Sequence, residues 1–509
     1  MKLIQKFSIL FLLLFIFQND KAFSNSDDEV LIGLNYVYDL KFDEAESVFK
    51  QIQKKYPADL KGYFYESLLY FYKALPSRDK SMLEKFTELS DNVIIKAEDI
   101  LDKDENNPDA LYYKGVSHSY RSLLLLNLNE SLLKAASDGN EGYRILTELI
   151  RIKPDYYDAY MGLGLYKIAL GFVPDKFKWL LSLIGFDGNI FEGMSMLKKS
   201  MNKGKFTVTD SKVFLCLFSL KEKEISDNTS LMLSKELSDN YPESPVFKIL
   251  YSGMLLQSGH NSECIKSAED ALSLNKFSFQ KEIVKSANAL LGTANFRENN
   301  FAEAAIFYEE SIKNLNIFDR FNVHIFSAGV AFELAGNRSK ALEYYSKVRS
   351  DFINERDGEA EKFFYRYATV KLKNPITEIE RADILGMNLR ESLKLDEAIK
   401  EFEDALKQNL LMNASNDEKI RFYFDFGLTH VYKNESDKAV KLFEKCISIK
   451  PDNELWILPH AYFELGKIYD RQNNRQKSDD MFDEIFSYDD YDFKNFLEMR
   501  LANYLNNRN

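Results

Sequence analysis

Cysteine, tryptophan, histidine and proline are scarce in this 509-residue chain: 3 Cys, 2 Trp, 5 His and 10 Pro. Three cysteines make no disulfide framework, and no Cys pair stands at metal-ligand spacing. The histidines (His118, His260, His324, His430, His460) are scattered, with no His-Glu-x-x-His, so a metal hydrolase has no ligand set to build on. No Gly-x-Ser-x-Gly elbow or phosphate loop occurs. Gly162-x-Gly164 lacks the third glycine of a dinucleotide fingerprint, and Asp102-Lys103-Asp104-Glu105-Asn106 lacks the glycine and closing glutamate of a calcium loop. The acidic run Tyr488–Asp492 reads as a solvated helix cap. The chain is therefore expected to be non-enzymatic, with no catalytic, cofactor-binding or metal residues. Basic charge is also short: 67 Lys and Arg against 79 Asp and Glu give −12, which disfavours nucleic acid and anionic membrane surfaces as partners.

Long apolar runs are missing except at the start. Lys2 and Lys6 precede an apolar stretch, Ile9–Phe17, and Ala22-Phe23-Ser24 offers small residues where a signal peptidase reads. The core is short for a membrane span, so residues 1–24 are expected to be a secretory signal cleaved after Ser24. The alternative is an uncleaved N-terminal anchor. Either way the body is expected to be exported, to the periplasm or cell envelope of a bacterium. Losing a net +2 with the signal would leave the mature chain at −14.

Aromatics are abundant, at 40 Phe and 29 Tyr, and they are placed periodically. Six times a glycine is followed twelve residues on by a small residue and four further by an aromatic. The sets are Gly33/Ala45/Phe49, Gly292/Ala304/Tyr308, Gly329/Ala341/Tyr345, Gly386/Ala398/Phe402, Gly427/Ala439/Phe443 and Gly466/Ser478/Phe482. Glycine lets two antiparallel helices approach, the small residue of the second helix meets it, and the aromatic one turn later fills the adjoining space. Pro57, Pro154, Pro242 and Pro451 stand where the second helix must end. A simple bundle would supply apolar periodicity but not these phases. The pattern resembles the tetratricopeptide repeat (TPR), which implies an all-α, right-handed α-solenoid of antiparallel helix pairs, built for binding rather than catalysis. Cys264 and Cys446 fall where such a repeat wants a small buried residue.

The spacing divides the chain. Residues 25–156 read as N-terminal repeats with long helices, and 157–205 as a modified repeat with an inserted hairpin. Residues 206–490 read as a regular array with one extra helix near 359–373, and 491–509 as a capping helix. In the modified repeat, Val173-Pro174 is followed by Leu180, Ile184, Gly185, Phe186, Gly188, Asn189, Gly193 and Leu197, in a Pro, Leu-Leu, Ile-Gly-Phe-x-Gly-Asn, Gly-x-x-x-Leu order. This stretch, 157–199, resembles the TPR family that includes the inclusion body clearance protein of the mitochondrial outer surface. The resemblance implies a non-enzymatic helical protein, in a family linked to lipid droplets and protein aggregates. Only its architecture is carried over to a chain that starts with an export signal.

Two surfaces are candidates for contact. Within the 174–186 hairpin, Phe177, Trp179, Leu180 and Phe186 form a short apolar stripe. It reads either as a plug in the superhelix or as a membrane contact, and its shortness favours the plug. In a TPR array the concave face is lined by the first helix of each pair, at offsets −6, −3, −2, +1, +4 and +5 from the glycine position. Those offsets give Phe64, Tyr65, Tyr72, Tyr112, Tyr113 and Tyr120 in the N-terminal half. Toward the C-terminus they give Arg390, Glu391, Tyr432, Lys467 and Arg471. An aromatic groove continuing into a charged one suits a protein or peptide partner. The expected function is an exported scaffold binding such a partner, with a lipid-associated protein using the hairpin as the alternative.

Overall fold

The computed structural model describes residues 26–77, 79–127, 132–171, 188–221, 228–274, 280–315, 321–350, 358–506 and 508. Residues 1–24, expected to be a signal sequence, and the segment 174–186, expected to form a hairpin with Phe177, Trp179, Leu180 and Phe186, lie outside them. Among the described residues there are 24 α-helices, one short 3-10 turn and no strand, so the fold is all-α. The chain divides into two compact units at Phe247/Lys248.

The first unit holds α1 (Ser26–Tyr38), α2 (Phe42–Lys55), α3 (Leu60–Ser77), α4 (Lys80–Leu101), α5 (Pro108–Asn127), α6 (Leu132–Ile152), α7 (Ala159–Gly171), α8 (Ile190–Lys203), α9 (Val208–Lys221) and α10 (Asn228–Asn240). Helix α11 (Pro245–Gln257) spans the division. The second unit continues with α12 (Asn261–Ser273), α13 (Gln280–Arg297), α14 (Phe301–Ile312), α15 (Phe321–Leu334), α16 (Arg338–Lys347), α17 (Gly358–Lys373) and α18 (Glu378–Glu391). It closes with α19 (Leu395–Lys407), α20 (Asn416–Tyr432), α21 (Ser436–Ile447), α22 (Ile457–Arg471), α23 (Arg475–Ile485) and α24 (Lys494–Asn506).

All six glycine sets sit at the crossing of a helix pair, as their spacing requires. A Cβ added to Gly292 would stand 2.7 Å from Tyr308, and one on Gly427 2.7 Å from Phe443. At Gly33, Gly329, Gly386 and Gly466 the nearest atom belongs likewise to Phe49, Tyr345, Phe402 and Phe482. Each aromatic ring thus lies against its own glycine, and any larger residue there would displace it. The small partners Ala45, Ala304, Ala341, Ala398, Ala439 and Ser478 are fully buried. Ser478 satisfies its hydroxyl by donating to the Gly466 carbonyl oxygen at 2.9 Å. Helices end two to four residues before Pro57, Pro154, Pro242 and Pro451.

A second repeated position emerges from the backbone. Seven residues after each of these glycines the chain turns through positive φ: Leu40, Asn299, Gly336, Leu393, Asn434 and Asn473. Asn and Gly tolerate that conformation best, so Leu40 and Leu393 carry a steric cost of about 1–2 kcal/mol each.

The first unit closes on itself. The Tyr241 hydroxyl donates to Asn35 Oδ1 at 3.0 Å, and Lys41 pairs with Glu243 at 3.3 Å. Asp158 Oδ1 accepts the backbone N–H groups of Lys205, Phe206 and Thr207 at 2.8–3.0 Å and the Thr207 hydroxyl at 2.7 Å. That cap places Phe206 against Tyr65 (ring centroids 5.7 Å apart) and starts α9 with Asp210 facing inward.

The second unit also makes a contact across its stack. The Asn388 amide on α18 donates to the Phe296 carbonyl oxygen at 2.7 Å and to Asn299 Oδ1 at 2.8 Å. Helix α17 sits outside the pairing of first and second helices. One flank packs on α15, with Phe326 and Phe364 ring centroids 5.5 Å apart. The other flank is tied by Arg366 to Glu454 and to Asp492, both at 2.6 Å. Among the described residues no helix is long and apolar enough to cross a membrane.

A cavity on the first-helix face of the second unit

Helix α17 leaves a cavity of about 260 Å³ between itself and the first helices α13, α15, α18 and α20. The lining follows the repeat phases. Phe326, Ser327 and Val330 stand at −3, −2 and +1 from Gly329. Glu380, Asp383, Ile384 and Met387 stand at −6, −3, −2 and +1 from Gly386, and Arg421 and Asp425 at −6 and −2 from Gly427. Phe363, Phe364, Tyr367 and Lys371 of α17 form the facing wall, and Phe296 and Tyr308 close the end toward α13 and α14.

The polar groups are almost all engaged. Glu380 forms a capping box with Thr377 at the start of α18 and also pairs with the Lys371 ammonium. Arg421 pairs with Glu454 at 3.0 Å, and its guanidinium stacks over Tyr367 at 4.9 Å. Glu454 gathers Arg366, Arg421, the Tyr367 hydroxyl and the Trp456 indole N–H. Asp425 accepts from Arg390 at 2.7 Å, and a second bond at 3.0 Å joins Arg390 to the Asp425 carbonyl oxygen. Asp383 differs. It is 5% exposed, and its Oδ1 has no hydrogen-bond partner. Burial, reinforced by the neighbouring charge of Asp425, holds its carboxyl well above the usual carboxylate range.

Two family models match parts of the chain. The family model described as Iml2/Tetratricopeptide repeat protein 39 matches residues 159–316, and a tetratricopeptide-repeat model matches residues 420–453. The chain carries tetratricopeptide repeats, with a segment that resembles Iml2. Its segment resembling Iml2 reaches well beyond the forty residues that carry the sequence likeness. No curated protein matches it significantly. Among solved structures, the human IFIT1 dimer with m7Gppp-AAAA is 15% identical and covers 84% of this chain and 91% of its own, at a TM-score of 0.38. Yeast Tom70 is 13% identical over 91% of this chain and 100% of its own, at 0.31. YrrB is 18% identical over 45% of this chain and 96% of its own, at 0.20.

The repeat protein places the expected contact residues unevenly. In the first unit Phe64, Tyr65, Tyr112, Tyr113 and Tyr120 are buried, packed ring on ring: Phe64 lies 5.2 Å from Tyr113, and Tyr120 lies 4.9 Å from Phe71. Half-buried Tyr72 donates its hydroxyl to Asp210, which also accepts from Tyr38 at 3.3 Å. The expected aromatic groove is therefore corrected to an interior: these rings pack on one another, with Phe206 of the closing segment on Tyr65 and Asp210 on the Tyr72 hydroxyl. Arg390 is corrected in the same sense: it is buried and spent on Asp425. Tyr432 and Arg471 are exposed, while half-buried Lys467 pairs with Glu464 at 3.2 Å. None of Tyr432, Lys467 or Arg471 lines the cavity. The offsets that locate it were legible in sequence at Gly329, Gly386 and Gly427. What they could not show is that α17 folds back over those three helices.

The three cysteines are free and buried. Burial pushes the Cys216 and Cys264 thiols up to about 12, so they pack rather than react. Among the described residues no three His, Cys, Asp or Glu side chains gather as a metal site would need.

Proposed function

We propose that this protein is a non-enzymatic scaffold, exported to the cell envelope, that holds a partner protein by a peptide segment entering the α15/α17/α18/α20 cavity. The observation that carries the reading is the cavity's construction. It is walled by the phases of successive repeats from which a TPR array presents residues to a ligand. At about 260 Å³ it lies below the ~300–1,000 Å³ typical of small-molecule sites, so it suits one anchoring side chain of a larger partner. Export rests on the basic start, apolar core and small residues of 1–24.

The test is a pull-down from envelope extract of the native host, with the chain as bait beside Met387→Trp, which fills the cavity. A protein recovered by the wild type and lost with Met387→Trp supports the reading. Recovery no better than background, or unaffected by the tryptophan, defeats it. Cell fractionation tests the location separately, and a chain confined to the cytosol would remove the envelope role.

A further inference from the structure

The cavity combines two features that a purely apolar anchor would not need. Its walls present aromatic rings, Phe296, Phe326, Phe363 and Phe364, whose negative faces attract cations. Its lining includes Asp383, a buried carboxyl with one oxygen that no donor in the protein hydrogen-bonds. The neighbouring cations pair elsewhere: Lys371 with Glu380, Arg421 with Glu454, and Arg390 through its Nη1 with Asp425, while Arg390 Nε, also buried and unpartnered, makes no hydrogen bond to Asp383. A buried polar atom left without a partner is unfavourable, and no side chain of the protein hydrogen-bonds this one. An incoming donor would.

Building on the proposed function, we infer that the partner's anchoring residue is basic, with its alkyl stem lying among the phenylalanine rings and its cationic head donating to Asp383. Lysine and arginine both have this design, an apolar stem carrying a charged tip. A neutral apolar residue would fill the space and leave Asp383 unsatisfied. An acidic one would meet Asp383, Asp425 and Glu380.

The charged groups around Asp383 also give the binding a pH signature. Asp425 and Glu380 oppose its ionisation and Arg390 favours it, while burial dominates. Burial thus favours the protonated form of Asp383 in the empty cavity, and a bound cation would favour the ionised form. Affinity for a cationic probe should rise with pH, whereas affinity for a neutral probe should not.

Three acetylated, amidated pentapeptides, Ser-Gly-X-Gly-Ser with X as lysine, arginine or norleucine, serve as probes. Binding to the full chain is followed by NMR titration of labelled methionine methyls, Met387 included. The expected result is that the lysine or arginine peptide binds at least tenfold more tightly than the norleucine peptide, and increasingly so at higher pH. Asp383→Asn, which keeps the shape, should abolish the preference. If that variant fails to fold, the wild-type preference for the charged peptides over norleucine decides the matter alone. Equal or tighter binding of norleucine, or no binding by any of the three, overturns the basic anchor. Neither outcome touches the scaffold reading, which stands or falls on the pull-down.

Discussion

Removing the ring of Phe443 and adding a methyl to Gly427 should each destabilise the protein singly, yet the second change should become favourable once the first is made. Phe443 is fully buried on α21, and its ring lies over Gly427 of α20. Phe443→Ala should cost about 3–5 kcal/mol through lost transfer energy and the cavity left behind. Gly427→Ala gains about 1 kcal/mol of helix propensity. It also thrusts a Cβ to 2.7 Å from Phe443 Cε1, an overpacking cost of about 1–3 kcal/mol, so the net effect is loss. The three atoms nearest that Cβ all belong to Phe443. In the Phe443→Ala background the clash disappears and the propensity gain remains, so Gly427→Ala should then stabilise by about 1 kcal/mol. The coupling in the double-mutant cycle should reach about 1–3 kcal/mol. Urea unfolding of the four proteins measures it, and amide exchange shows where stability is lost. Because repeats contact mainly their neighbours, exchange should quicken in α20 to α23 and stay near wild type in α13 and α14. Effects that simply add would refute the account of the glycine. Uniformly faster exchange along the chain would refute the quasi-linear account of stability.

Two buried titrations give pH predictions of opposite sign. Burial pushes the Asp210 carboxyl up to about 6, although the Tyr72 and Tyr38 hydroxyls favour its ionised form. The folded first unit then holds a proton that the unfolded chain releases near pH 4, so stability falls as pH rises from about 4 through 6. The loss should be about 3 kcal/mol. Asp210→Asn should flatten that slope in urea unfolding between pH 4 and pH 7; an identical slope would show that Asp210 is not its source. In the second unit, burial and the charge of Arg500 push His460 down to about 3. The unfolded chain takes up a proton below about pH 6.5 that the folded unit refuses, so stability is present above that pH and lost toward pH 3. His460→Phe should reduce this acid loss by a few kcal/mol, read from exchange in α22 and α23, and an unaltered acid limb would exclude it.

The two halves of the chain were not equally legible. Spacing alone determined the helix pairs, because contact between a glycine, a small residue and an aromatic is local: Gly292 and Tyr308 are sixteen residues apart, and helical geometry brings them together in any stable hairpin. It also determined which offsets of α15, α18 and α20 face a common side. The left-handed turn position seven residues after each glycine was equally local, but Leu40 and Leu393 hide it among the Asn and Gly of the other repeats. Tertiary structure alone decided which of those faces stay open. In the first unit, contacts more than a hundred residues apart, such as Tyr72 with Asp210, turn a would-be groove into core. In the second, α17 stands off far enough to leave a cavity lined in part by Asp383. Such closures depend on how successive small rotations of the stack accumulate, a sum to which every interface contributes and which no single repeat's sequence encodes.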